Sequence, residues 1–277
     1  MLAAVACLGG IGLVAATALG IAAKKFAVEV DPKEAAILAA LPGVNCGACG
    51  EPGCSGYARA VAEGRLAPNL CPPGGQQTAE ALAAILGIKI TAKEPAVAVV
   101  ICQGGDDLAR QKYHYLGLED CNAAQKLAGG PKSCPGGCLG LGSCVRACLF
   151  GAITITSEHL AVIDRDKCTG CEQCLKSCPR QVMIMAPKAV TTHVLCNSHD
   201  KGAEVRKYCQ VGCIGCNICK KTVPEAYTID NFLARVNYTQ ADHAARAIAK
   251  CPMNCIRDLV DNSSVGDPDP KTTAPAD

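Results

Sequence analysis

The chain has no tryptophan and only three phenylalanines and six tyrosines among 277 residues, so aromatics make up 3%. Large aromatics usually dominate core burial, and a core without them needs another source of cohesion. Charge excess is also missing. Twenty-seven basic residues stand against 25 acidic ones, a net of +2, which excludes the basic footprint of a nucleic-acid binder. There is no Walker loop, no Rossmann fingerprint and no Ser-His-Asp order. Gly9-Gly10-x-Gly12 and Gly136-Gly137 do not follow a strand and open a helix, so they read as anchor and packing glycines. Nucleotide-driven and serine-hydrolase chemistry are therefore absent from this chain. Cysteine is what the sequence has in abundance, 22 residues. Metal–thiolate bonds contribute directly to folding, so inorganic clusters can replace part of the missing core. Disulfides persist outside the cytosol and thiolate clusters inside it.

The chain is organised around residues 134–178. Cys168-x2-Cys171-x2-Cys174-x3-Cys178-Pro179 is the bacterial ferredoxin run, in which three thiolates close around one cubane and the fourth reaches a second. Cys138-x5-Cys144-x3-Cys148 is a partner run with one position altered. Between the two runs, Ala152–Thr156 and Leu160–Asp164 alternate apolar and polar residues about a turn, which predicts a β-hairpin. This is a two-cluster [4Fe–4S] core. Cys148, Cys168, Cys171 and Cys174 make one ligand set. Cys138, Cys144 and Cys178 make three of the other, with Cys134 the nearest candidate for the fourth. Zinc and a disulfide scaffold are the rivals, and neither favours three cysteines at x2 spacing followed by x3 and Cys-Pro.

Residues 209–255 repeat this core in altered form. Cys213-x2-Cys216-x2-Cys219 precedes a second hairpin, Ala226–Asp230 with Leu233–Asn237, and then Cys251-Pro252. In this register Val223 replaces Cys148, and Ala241, Ala244 and Ala247 replace Cys168, Cys171 and Cys174. All four ligands of one cluster are lost together, while Cys213, Cys216, Cys219 and Cys251 remain. The expectation is one cluster here, beside a vacated site packed with alanine and valine. In the same register Leu141 stands where Cys216 stands, which is why the first copy lacks a ligand.

At the N-terminus, Met1 to Ala23 carry no charge, and Lys24 and Lys25 follow. A helix of this length spans a bilayer core, and the positive-inside rule puts the remainder in the cytoplasm. A signal peptide would need a basic n-region. Cys7, inside this segment, reads as an apolar filler. Asp31-Pro32 opens a helix running to residue 41. Then come Cys46-x2-Cys49-x4-Cys54-x16-Cys71, with glycines that let the backbone fold around a bulky ligand. These four predict a further [4Fe–4S] site, with structural zinc the alternative. Helices are predicted over residues 55–63 and 77–87, and a β-rich run over Ala96–Cys102. Cys102, Cys121, Cys196, Cys209 and Cys255 are left over, either for further clusters or as buried thiols. Cys102 and Cys196 each end a β-like run, and Cys134 and Cys209 each stand four residues before a ligand. The five histidines, His114, His159, His193, His199 and His243, read as surface or turn residues. Lys132, Arg146, Arg165, Lys167, Lys176 and Arg180 read as a solvated face or a docking patch for an acidic redox partner. The tail, Asp261 to Asp277, has the composition of a disordered segment.

The predicted fold class is α+β. A transmembrane helix (1–25) leads to a small, mostly helical 4Fe-4S domain (26–90). Two ferredoxin-like modules follow, 91–190 and a degenerate second copy at 191–258, and then the tail (259–277). Cubanes held by four thiolates have no open position for a substrate and move single electrons. Several in one chain make a wire, and two-electron chemistry must lie on a partner.

An apolar anchor, then LPGVNCGACGEPGC…C, then ferredoxin modules, resembles the family of the iron–sulfur B component of the Rnf complex, the ion-translocating ferredoxin:NAD oxidoreductase. The likeness covers nearly the whole chain, although its first motif alone also resembles corrinoid iron–sulfur proteins. Leu141, Leu149 at the place of a Cys-Pro proline, and the half-vacated second copy depart from the family pattern. The resemblance implies that reduced ferredoxin donates electrons. It implies sibling partners that bind flavin and NAD or translocate ions, export of Na⁺ or H⁺, and a single-pass position in the inner membrane with the clusters on the cytoplasmic side. The alternative is an anchored donor to another enzyme, such as one that reactivates corrinoid, or a zinc-binding scaffold.

Overall fold

A computed structural model describes residues 2–25, 31–91 and 94–259, with side chains from Gly9 onward. Cys7 and the tail beyond Leu259, for which a filler role and disorder are expected, lie outside the described side chains.

The first helix, α1 (Leu2–Lys25), projects its side chains outward: Ile11, Leu13, Val14, Leu19 and Ile21 are about 70% exposed. Among the described residues no helix is long and apolar enough to cross a membrane. The expected membrane-crossing helix is thus not established by the fold.

Three helices form the first domain: α2 (Pro32–Ala40), α3 (Cys54–Ala62) and α4 (Gly75–Leu86). Asp31 caps α2 as its sequence signal requires, accepting from the Lys33 amide at 2.8 Å. Ile37, Tyr57, Val61 and Leu82 meet in the core. The Tyr57 hydroxyl donates to Ala67 O at 2.7 Å and accepts from Leu70 N at 3.1 Å, which pins the loop leading to Cys71.

The first ferredoxin-like copy contains β1 (Ala96–Val100), α5 (Cys121–Lys126), α6 (Ser143–Ala147), β2 (Ile153–Ile155), β3 (Ala161–Ile163), α7 (Gln173–Ser177) and β4 (Met183–Pro187). The second contains β5 (Thr192–Val194), α8 (Gly202–Tyr208), α9 (Ile218–Thr222), β6 (Tyr227–Asp230), β7 (Leu233–Val236) and β8 (Ile256–Asp258), with a 3-10 turn at Ala244–Lys250 where the first copy has α7. Among the described residues every sheet has two antiparallel strands. In each copy the first strand pairs with the last, Ala96 with Pro187 and Thr192 with Asp258, and encloses the predicted hairpin, β2–β3 or β6–β7.

The second copy shows what fills the vacated half. Val223, Ala244 and Ala247 are buried, and Tyr227, fully enclosed, donates its hydroxyl to Ala244 O at 2.8 Å. A phenol and small aliphatic groups thus occupy the volume, as the alanine and valine substitutions predict.

Three side chains read as exposed turn out to be interior. His193 is 0% exposed, with Nδ1 3.0 Å from the Tyr238 hydroxyl and Nε2 facing Arg165. It is held neutral, with its pKa down at about 4, first by burial and then by the Arg165 guanidinium. Lys132 is 2% exposed and donates to Gly104 O at 2.6 Å. Arg180 is 7% exposed and donates to the carbonyls of Cys134 and Gly129. Both cations donate to carbonyls of the first module. The solvated-face reading does not hold for them.

Candidate metal centres

All 21 cysteines from Cys46 onward are free thiols, and each lines one of five cavities. The cavities are alike in size, about 300 to 350 Å³.

In the first domain, Cys46, Cys49, Cys54 and Cys71 face one cavity, as the spacing predicts. The Cys54 amide donates to Asn45 Oδ1 at 2.8 Å, which folds the glycine-rich loop back over the start of α3. Burial raises the Cys71 thiol, and the neighbouring sulfurs of Cys46, Cys54 and Cys49 raise it further.

Cys148, Cys168, Cys171 and Cys174 face the second cavity. Backbone amides point at its sulfurs: Ala98 N to Cys168 Sγ and Ala152 N to Cys148 Sγ, each 3.4 Å. Burial first, and then the charge of Cys168, push the Cys174 thiol up to about 12.

The third cavity corrects the sequence reading. Cys138, Cys144 and Cys178 line it together with Cys121, whereas Cys134 does not reach it. Cys121 opens α5. Asp120 caps that helix, accepting from Ala123 N at 2.9 Å, and also accepts from the Ser143 hydroxyl at 2.8 Å. Ser143 in turn accepts from the Cys121 amide at 2.8 Å. Asp120 is thereby kept well ionised, at about 2, chiefly by the Ala123 and Ser143 hydrogen bonds. Proximity in sequence favoured Cys134; the usable signal was an Asp N-cap directly before Cys121.

Cys213, Cys216, Cys219 and Cys251 line the fourth cavity, joined by Cys255. Cys255 Sγ lies 3.5 Å from Cys251 Sγ. Its hydrogen bonds draw the Cys213 and Cys251 thiols down to about 6 and push its own far upward. Valine, at 182, holds the equivalent place in the first copy.

The remaining four, Cys102, Cys134, Cys196 and Cys209, line a fifth cavity between the modules.

The ferredoxin loops share one backbone device. Gly140-Leu141-Gly142, Gly170-Cys171-Glu172 and Gly215-Cys216-Asn217 each carry positive φ on both sides of the central residue. Alternation of this kind turns successive amides inward and makes an anion-binding concavity. At Gly140 and Gly215 a Cβ would also strike a hairpin carbonyl, that of His159 or Phe232.

These cavities suit a cluster rather than a single ion. Four thiolates on zinc stand about 3.8 Å apart, from a Zn–S length of about 2.3 Å. Among the described residues no three His, Cys, Asp or Glu side chains converge in that way. Among the described residues no histidine or carboxylate but Glu172 lines them. Amides directed at sulfur complete the second shell that an Fe–S centre uses. Fold and site together define a multi-cluster iron–sulfur electron carrier.

Comparison with known proteins agrees. Residues 41–73 match a family model described as a putative Fe-S cluster, 160–183 a 4Fe-4S binding domain, and 210–258 the 4Fe-4S single cluster domain of ferredoxin I. The chain is 40% identical to the B component of the Na(+)-translocating ferredoxin:NAD(+) oxidoreductase complex of Acetobacterium woodii, over 92% of this chain and 77% of that one. It is 38% identical to the B component of the ion-translocating oxidoreductase complex of Methanosarcina acetivorans, over 91% and 96%. It is 42% identical to the counterpart in the proton-translocating ferredoxin:NAD(+) oxidoreductase complex of Clostridium ljungdahlii, over 92% and 91%. The chain belongs to this family, the B components of ion-translocating oxidoreductase complexes, and it carries 4Fe-4S clusters.

Proposed function

We propose that this chain is the electron-transfer subunit of a membrane complex that couples oxidation of reduced ferredoxin to NAD reduction and to translocation of Na⁺ or H⁺. The relatives' names support the coupling, and the cavities support the wiring. Four ligand sets are assigned: Cys46, Cys49, Cys54 and Cys71; Cys148, Cys168, Cys171 and Cys174; Cys121, Cys138, Cys144 and Cys178; and Cys213, Cys216, Cys219 and Cys251. Residues 26–90, 91–190 and 191–258 form the three cluster-bearing units, a division supported by strand pairings that close within each module.

When bound, each [4Fe–4S] cluster supplies a one-electron couple, with no bond made or broken. The chain's own residues fix the order of stations. Gln173, beside Cys174, donates from Nε2 to Cys46 O at 2.5 Å, which joins the first domain's site to the second. Helix α7 carries Cys174 on one site and leads to Cys178 on the next. α1 anchors the chain, single-pass, in the inner membrane. Lys24 and Lys25 hold its end, and the clusters, on the cytoplasmic side. Flavin- and NAD-binding and ion-translocating siblings complete the complex.

The carrying observation is that thiol quartets follow one another from the first domain into the ferredoxin core. Reduced ferredoxin added to the purified, oxygen-free protein should bleach its visible absorption within the mixing time of a stopped-flow experiment. Bleaching by NADH alone would reverse the proposed direction of electron entry.

A further inference from the structure

We propose that Cys102, Cys134, Cys196 and Cys209 hold a fifth [4Fe–4S] cluster at the seam of the two modules, bridging the Cys121 site to the Cys213 site. The inference rests on the reading that the other quartets hold cubanes. None of these four residues falls within 41–73, 160–183 or 210–258, the segments that match iron–sulfur family models.

The site is built from two equivalent halves, one from each copy. Cys102 follows β1 and Cys196 follows β5. Cys134 stands four residues before Cys138, and Cys209 four before Cys213. The amide placement repeats as well: the Cys138 amide donates to Cys102 Sγ at 3.4 Å, and the Cys213 amide faces Cys196 Sγ. Each half thus hands one amide from a neighbouring ligand loop to a seam sulfur. Neither module alone supplies more than two thiols, so the quartet exists only where the copies meet. The seam is closed by Arg110 N to Tyr208 O at 2.7 Å and Gln210 N to Leu108 O at 2.9 Å, on either side of the Ala109–Cys209 bridge.

The cavity has the size and wall of its four neighbours, at about 310 Å³. Gly104, Gly136, Gly137 and Gly212 line it, with Ala109, Leu195 and Val211. The glycines mark close approach. A Cβ on Gly136 would press on the Asn197 carbonyl across the seam, and one on Gly212 would collide with Val205. Four thiolates enclosed among apolar walls need positive charge close by. Two buried cations stand close by. Lys132 is anchored on Gly104 O and paired with Asp106 at 3.8 Å. Arg180 donates to Cys134 O.

The position gives the bridge its role. Cys134 and Cys138 belong to adjoining sites through one four-residue loop, as do Cys209 and Cys213. A cluster held by these four thiols would supply a one-electron station between the Cys121 site and the Cys213 site, with no proton or bond change. Without a seam station the second module's site would be reached only across the whole module junction.

The test uses the full chain, purified without oxygen and reconstituted with iron and sulfide. Iron, acid-labile sulfide and zinc are measured per chain, together with ⁵⁷Fe Mössbauer areas. Wild type should hold five clusters' worth of iron and sulfide. Cys134→Ser and Cys196→Ser should each lose one fifth, and the double variant should lose the same fifth and no more, because two residues from different modules serve one site. Four clusters' worth in wild type, variants that keep all their iron, a double variant losing two fifths, or one zinc per chain lost with Cys134 would each overturn the seam cluster. The wild-type count decides even where a variant fails to fold. Cys171→Ser separates the underlying reading: if wild type takes up no iron, or Cys171→Ser loses none, the general cubane assignment fails rather than the seam alone.

Discussion

At the scale of single residues, sulfur identity is decided by where a backbone end points, and sequence distance is a poor guide. Cys121 lies 17 residues before Cys138, yet the cap made by Asp120 and Ser143 places it on that site. Cys121→Ser should therefore abolish the cluster shared with Cys138, Cys144 and Cys178. Its EPR signal on reduction should vanish while that of the Cys213 set persists; a full complement of signals would show that Cys134 serves there instead. His193 offers a pH test. Its folded pKa of about 4 lies below the ordinary 6.5, so its contribution is complete above 6.5 and lost as pH falls toward 4. Between pH 7 and 5 the wild type should lose about 2 kcal/mol more than His193→Gln in anaerobic chemical denaturation. Parallel losses in the two proteins would mean that the imidazole keeps its ordinary pKa in the fold.

At the scale of elements, the repeat was readable because periodicity and cysteine spacing are local. Both hairpins, the capped α2 and the packed, thiol-free half of the second copy follow from residues within a few positions of one another. The fourth ligand of the Cys138 site and the seam quartet did not follow, since they depend on how β1, α5 and α8 are brought to the ferredoxin loops by pairings across long separations. The buried states of Lys132 and Arg180 were hidden for the same reason, because their partners are carbonyls and thiols supplied by the fold. The vacated half carries its own prediction. Tyr227 spans it to reach Ala244 O, so Tyr227→Phe leaves an enclosed carbonyl unpaired. That should cost about 1–2 kcal/mol without changing iron content, as measured by denaturation and elemental analysis side by side. A drop in iron would indicate that the phenol supports the Cys213 site rather than the empty one.

At the scale of the molecule, the cluster-bearing units and the first helix make separable contributions. The cavities lie wholly within residues 41–256, and the described side chains of α1 are exposed apart from a half-buried Ala22. An uncharged helix ending in Lys24 and Lys25, with its described apolar side chains left open, has its natural partner in lipid or in a sibling's membrane helix. Deleting residues 2–25 should therefore release the chain from membranes with iron, sulfide and visible absorption per chain unchanged. Loss of iron on deletion would tie α1 to the cluster domain. Retention on membranes would move the attachment to the folded units, where α1 would serve only to align a chain already held by its siblings.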